Sequence, residues 1–193
     1  FYDVTEGAIL VNGIDIREVT QHDLRAKIGY MPQTATLFSG TIESNLRYGD
    51  ETASPDDLAL AADIAQASGF IAEKSEGMAA EIAQGGANVS GGQRQRLSIA
   101  RALVKKAPIY IFDDSFSGLD FKTDAALRRA LKKQTGSSTV LIVTQRISTV
   151  MNAEQIIVLD EGRIVGKGTH SELLADCEVY REIATSQLGM EVA

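Results

Sequence analysis

Apolar residues recur along this chain with two different periods. Up to about residue 40 they fall in short runs separated by turn residues. Ala8-Ile9-Leu10-Val11 stops at Asn12-Gly13, Ile14-Asp15-Ile16 follows, and Lys27-Ile28-Gly29-Tyr30-Met31 stops at Pro32. Asn-Gly between apolar runs signals a tight hairpin, and a proline keeps the residue before it out of helical geometry, so short strands are predicted here. From Thr41 the spacing becomes helical. Thr41-Ile42-Glu43-Ser44 opens a capped helix, Pro55-Asp56-Asp57 opens another that runs to about Ala67, and Ser90 caps a third from Gly91 to about Lys105.

Beyond Pro108, strands and helices alternate. Ile109-Tyr110-Ile111-Phe112 is a continuous apolar run closed by Asp113-Asp114, the pattern of a strand covered on both faces. Phe121 to Gln134 predicts a helix, Ser138 to Thr144 a second buried strand, and Gln155 to Asp160 a third. That third strand turns at Glu161-Gly162 into Arg163-Ile164-Val165, and two helices near Ser171–Ala175 and Val179–Gln187 close the chain. Such alternation implies an α/β fold with a mainly parallel sheet. Residues of about 41–105 read as a helical insertion, with 1–40 and 106–193 as the core. No internal repeat or low-complexity tract interrupts the pattern.

Composition narrows the class. The 193 residues suit one domain, and 44% hydrophobic with 23% charged residues is ordinary for a globular chain. Nineteen Lys and Arg against 26 Asp and Glu give a net charge of −7, which argues against a nucleic-acid partner. No apolar run approaches the roughly 18 residues that cross a bilayer, and the first residues have neither the basic start nor the apolar stretch of a signal peptide. Cys177 is the only cysteine, which excludes a disulfide framework and points to a reducing compartment. His22, Asp23 and His170 have no partners at metal-binding spacing and read as surface residues; Cys177 reads as an ordinary residue near the last helix.

Val89-Ser90-Gly91-Gly92-Gln93 carries the sharpest chemical signal. A serine cap and two glycines at a helix start leave backbone N–H groups open to an anion, and the helix dipole adds partial positive charge there. Arg94, Arg96 and Arg101 are expected to strengthen that field or simply to solvate the helix. Ser-Gly-Gly by itself also fits a plain loop-to-helix junction; the longer string from Val89 to Arg101 is far more specific. Asp113 ends a buried strand, where parallel sheets place ligand chemistry, although an aspartate at that point also caps turns.

The string from Val89 to Arg101 resembles the signature motif of ATP-binding cassette transporters. The resemblance implies a P-loop NTPase (RecA-like) core with a helical signature subdomain, binding ATP and Mg2+. It implies that Ser90, Gly91, Gly92 and Gln93 contact the γ-phosphate of ATP held by a second ATPase domain. Ile109 to Asp113 looks like the Walker B strand, whose Asp113 holds Mg2+ through water. Gln33 looks like the Q-loop glutamine, which contacts Mg2+ and the attacking water and couples to the membrane domains. Leu37-Phe38-Ser39-Gly40-Thr41-Ile42 resembles the segment after the Q-loop in exporter-type members. Ser117-Gly118-Leu119-Asp120 looks like the D-loop, with Asp120 expected at the nucleotide and Gly118 standing where alanine is more usual.

Three positions depart from the family pattern. Asp114 stands where a glutamate normally polarises the attacking water; one methylene shorter, it sits roughly 1–1.5 Å back, a misplacement that can cost on the order of a hundredfold in rate. Gln145 stands at the switch histidine, able to donate a hydrogen bond but not to carry positive charge. Ala83-Gln84-Gly85-Gly86 replaces the Gly-Glu-Arg-Gly usual before the signature in exporters. An intact signature with a weakened hydrolytic half resembles one half of an asymmetric heterodimer, though a homodimer tolerating an aspartate base also fits.

A Walker A loop, Gly-x-x-x-x-Gly-Lys-Ser/Thr, does not occur in this sequence; Gly166-Lys167 lacks the glycine spacing. In the family that loop and its helix precede the segment matching Phe1-Tyr2-Asp3, so the chain reads as a family domain without its first P-loop strand and helix. By itself it is expected to bind ATP poorly and to hydrolyse none. Neighbours of the missing strand, such as Ile111 and Leu141, are expected to be exposed and to favour self-association or a covering segment. The expected role is the ATPase domain of an exporter at the cytoplasmic face of the cell membrane, working with transmembrane domains through nucleotide-driven dimerisation. The rivals are a soluble cassette ATPase of DNA repair or translation and a non-catalytic dimerisation fragment.

Overall fold

Asn12 and Gly13 both take left-handed φ values, 51° and 80°, as a two-residue turn between right-twisted strands requires. They join β1 (Leu10–Val11) to β2 (Ile14–Asp15) as an antiparallel pair. The structure, a computed structural model, describes residues 4–189, so Phe1-Tyr2-Asp3 lies outside the described residues. The chain forms two compact units, one ending at Leu141 and the other beginning at Ile142.

In the first unit, Thr20 caps α1 (Gln21–Ala26), which leads into β3 (Ile28–Met31). β4 (Gly40–Thr41) then opens α2 (Ile42–Arg47) through a reciprocal cap: Thr41 Oγ1 accepts from the Ser44 N–H and Ser44 Oγ accepts from the Thr41 N–H. Ser54 and Pro55 start α3 (Pro55–Ile64) in the same way. The helix expected to reach Ala67 stops at Ile64, because Gln66 takes a φ of 58° and the Ala67 N–H closes on the Ala62 carbonyl at 2.7 Å. That 6→1 bond is a Schellman-type stop, formed here without glycine. α4 (Ser68–Ala72) and β5 (Glu81–Ile82) follow, and β5 pairs back on β4. Both α2 and α3 pack on the long helix α5 (Gly91–Val104).

β6 (Ile109–Asp113) pairs parallel with β3, Ile28 opposite Ile109 through Met31 opposite Phe112. After α6 (Phe121–Gln134), β7 (Thr139–Val143) flanks β6 to give the order β3-β6-β7. The sequence reads β7 as a buried run, but its exposure alternates, and Leu141 is 50% exposed. Ile111 is half-buried. On β6, Tyr110 and Phe112 are buried while Ile109 and Ile111 are only partly covered, so one face of this sheet is the better packed.

Asn45 is the buried polar hinge of the first unit. At 1% exposure its Oδ1 accepts from the Phe38 N–H at 2.8 Å, and its Nδ2 donates to the carbonyls of Phe38 and Thr41, both at 2.9 Å. Truncation strands a backbone donor and two acceptors, so Asn45→Ala is expected to cost about 2–4 kcal/mol. A thermal melt should show the loss as a Tm lower by roughly 5–15 °C, and an unchanged Tm contradicts the assignment.

The second unit contains α7 (Ile147–Val150), β8 (Ile156–Asp160) and β9 (Arg163–Gly168) paired antiparallel, α8 (His170–Asp176) and α9 (Glu178–Leu188). Thr169 and Glu172 form the capping box that starts α8 one residue earlier than expected. The surface reading of His170 is corrected: its Nδ1 lies 2.8 Å from the buried Tyr180 hydroxyl, with the rings edge to face. His22 and Asp23 are exposed, as expected, and Cys177 is buried.

Candidate functional site

Ser90 holds an extended conformation, φ −66° and ψ 162°, and its Oγ accepts from the Gln93 N–H at 3.2 Å. Gln93 Oε1 accepts in return from the Ser90 N–H at 3.0 Å. This capping box satisfies the third turn-one amide of α5, but the N–H groups of Gly91 and Gly92 find no partner among the described residues. Nothing in the unit needs these two residues to be glycine. A Cβ on Gly91 would meet only Arg94 Nη2 at 3.9 Å, and one on Gly92 only the Gly118 carbonyl at 3.7 Å. Open amides at the exposed start of a 14-residue helix are able to receive an anion.

The three arginines of the string do something else. Arg94 Nη1 donates to the Gly86 carbonyl at 3.1 Å, Arg96 Nη1 to Gln66 at 3.1 Å, and Arg101 Nη2 to Thr36 at 2.9 Å. Arg96 also lies over the Phe70 ring, and Arg101 over Phe38 and Tyr48. They staple α5 to neighbouring loops, so the expected concentration of positive field at the helix start is not their main part. Arg94 and Arg101, seven residues apart, share one side of α5 while Arg96 points to roughly the opposite side, and each partner lies in a segment that the linear motif does not reveal.

Asp113 and Asp114 leave the C-terminal end of β6, both half-buried. Desolvation, the Asp113 charge and a hydrogen bond to Asp113 raise the Tyr30 hydroxyl above its ordinary value, so Tyr30 remains a donor to that carboxylate. Ser115, fully buried, donates to the carbonyls of Met31 and Asp113 at 3.4 and 3.3 Å and ties the ends of β3 and β6 together. Gln33 lies two residues beyond β3 and is exposed; the parallel register puts it at the same end of the sheet as Asp113. Asp114 has a φ of 43°, and its carboxylate has no partner among the described residues. Its carbonyl accepts from Ser117 Oγ at 3.0 Å.

Asp120 N-caps α6, accepting from the Thr123 N–H at 3.0 Å and from Thr123 Oγ1 at 2.7 Å. The Thr123 hydroxyl and amide hold the carboxyl below the usual carboxylate range. The cap is therefore intact above the ordinary carboxyl pKa and is lost as pH falls through the lowered one. Gln84 is exposed in a loop fixed by Asn88, whose side chain bridges Ala83 N–H and the Glu81 carbonyl. Gln145 belongs to the second unit and is exposed; its carbonyl accepts from Gln187 Nε2 at 2.6 Å, and Gln187 Oε1 accepts from the Ile147 N–H at 2.9 Å.

The ABC transporter family matches residues 1–117. The chain belongs to the ABC transporter family. An uncharacterized ABC transporter ATP-binding protein of Mycobacterium tuberculosis is 50% identical over 189 residues, 96% of this chain and 32% of that one. An ATP-dependent lipid A-core flippase of Vibrio vulnificus is 39% identical over 191 residues, 98% of this chain and 33% of that one. A solved bacterial Atm1-family ABC exporter with ATP bound superimposes with a TM-score of 0.93 at 39% identity, over 96% of this chain and 33% of that one. The chain thus spans about a third of the length of the relatives it matches, and its fold is that of an ABC exporter ATP-binding domain.

The residues present fit what an ABC ATPase binds. The open amides of Gly91 and Gly92 suit phosphate oxygens, and the adjacent carboxylates of Asp113 and Asp114 suit a hard cation. Among the described residues no cluster of three or more acidic, His or Cys side chains could hold a metal alone. Mg2+ asks for less, one or two carboxylates shared with phosphate oxygens and water. No helix among the described residues is long and apolar enough to cross a membrane. Tyr30, Ser115 and Gln187 escape sequence reasoning because each acts through a contact far away in the chain.

Proposed function

We propose that this chain is the greater part of an ATP-hydrolysing domain that drives export by closing against a second ATPase domain. Residues of about 41–105 form its helical signature subdomain, and 1–40 with 106–193 its catalytic core. The observation that supports this most strongly is the pair of unpartnered glycine amides at the start of α5, open to an anion that no described residue of the chain supplies. Ser90, Gly91, Gly92 and Gln93 bind the γ-phosphate of nucleotide carried by the partner domain. Asp113 holds Mg2+, assisted by Gln33, and Tyr30 and Ser115 keep that strand end in place. Asp114 orients the attacking water and takes its proton, Gln145 donates to the γ-phosphate, and Asp120 lies at the nucleotide interface. When bound, Mg2+ and ATP supply the phosphoanhydride bond and the charge neutralisation of its transfer. With a short base at Asp114 and no cation at Gln145, this chain's own site turns over slowly while its signature serves a competent site on a different partner. Transmembrane domains complete the exporter at the cytoplasmic face of the membrane.

The test is ATP turnover by the full-length exporter in liposomes. Chelating Mg2+ with EDTA should abolish it, and, with the partner's site silenced, Asp113→Asn should lower the remaining turnover by about a hundredfold or more. Turnover that survives both treatments refutes the site assignment, and absence of any ATP turnover in the wild type refutes the function.

A further inference from the structure

The start of α5 and the loop after β6 meet at one point. A Cβ on Gly118 would lie 2.5 Å from Gln95 Oε1 and 3.4 Å from its Cδ, and the Gly118 carbonyl faces the place of a Gly92 Cβ at 3.7 Å. Gln95 follows Gly91 and Gly92 by four and three residues, so all three share one face of the helix. Gln95 is only 7% exposed, and the end of its side chain lies against the Gly118 backbone.

The loop beneath it behaves as one piece. The Asp114 carbonyl accepts from both the Ser117 N–H and Ser117 Oγ, and the Leu119 N–H donates to the Phe116 carbonyl at 3.2 Å. A push at Gly118 therefore reaches Asp114 on one side and the α6 cap at Asp120 on the other. We infer that Gln95, seated on Gly118, is a positioning residue that links phosphate engagement at Ser90–Gln93 to the loop carrying Asp114 and Asp120. This rests on the proposed function. Its close packing on Gly118 passes a shift of the helix start to the loop. Glycine at 118 is what admits the side chain: any Cβ there forces the amide to swing away, which the flexible end of a glutamine can do without unfolding the unit.

A double-mutant cycle in the full-length exporter tests this, with kcat, KM for ATP and Tm measured for Gly118→Ala, Gln95→Ala and the pair. Each single change is expected to lower kcat about fivefold to twentyfold while KM stays within about twofold and Tm is held. The pair should match Gln95→Ala alone, because the methyl group added at position 118 then has no amide left to displace. Effects that multiply in the pair, a Gly118→Ala variant with unchanged kcat, or a kcat loss that simply tracks a falling Tm overturns the inference. A wild-type exporter that turns over ATP while the cycle is additive separates this failure from failure of the proposed function; a wild type without turnover takes both down.

Discussion

Asp114→Glu, combined with Gln145→His, is expected to raise ATP hydrolysis at this chain's own site by up to about a hundredfold, measured with the partner's site silenced. The added methylene returns the carboxylate by roughly 1–1.5 Å to the reach of the glutamate that the family usually carries, and histidine restores a group able to hold positive charge. The backbone opposes the change. Asp114 sits at φ 43°, a left-handed conformation that Asp and Asn tolerate better than Glu. The same variant should therefore lose about 0.5–1 kcal/mol of stability, or about 1–4 °C in Tm. Activity and stability moving in opposite directions is a result that a general repair of folding could not produce. Asp114→Asn supplies the control, since it keeps the preference for that conformation and removes the base; turnover should fall with Tm unchanged. Single-site hydrolysis unchanged by the double substitution would show that neither position limits the site.

Replacing Gly91 and Gly92 together by alanine should have the second large effect. Inside the chain both methyl groups find ordinary or open space. Gly-to-Ala at helical φ values is worth about 0.4–1 kcal/mol of added stability through the unfolded chain. Yet, under the proposed function, the methyl groups stand where phosphate oxygens approach the two free amides. Losing such preorganised donors costs roughly 10²–10³-fold in rate. A variant that melts slightly higher and hydrolyses ATP at least about a hundredfold more slowly is the expected outcome. Retained turnover would mean that the helix start is a structural junction and nothing more.

Much of the architecture is legible because its signals are local. Asn12-Gly13, Thr41 with Ser44, Pro55 and Ser90 each act within four residues, and each forms the turn or cap that its residue types predict. The end of α3 is not legible in this way, because the stop at Gln66 uses a left-handed glutamine, which has no sequence signal comparable to glycine. His170 escapes for a different reason: its partner, Tyr180, lies across the turn between two helices. The site divides along the same line. Ser90 to Gln93 and the Asp113-Asp114 pair are visible as strings, whereas the Tyr30 bond to Asp113 and the Ser115 tie to Met31 depend on the register of two strands about 80 residues apart.

Short segments alone specify the α/β alternation, the capped start of α5 and the chemistry placed at the end of β6, because backbone preference, side-chain capping and residue type need no distant partner. Which groups are free to act is settled only in the folded chain. Folding turns Arg94, Arg96 and Arg101 into staples on backbone carbonyls, engages Asp120 as a cap, leaves the amides of Gly91 and Gly92 open, and lays Gln95 on Gly118. Whether a polar group is occupied or available depends on which distant segment the fold brings within about 3 Å of it, and no local pattern encodes that distance.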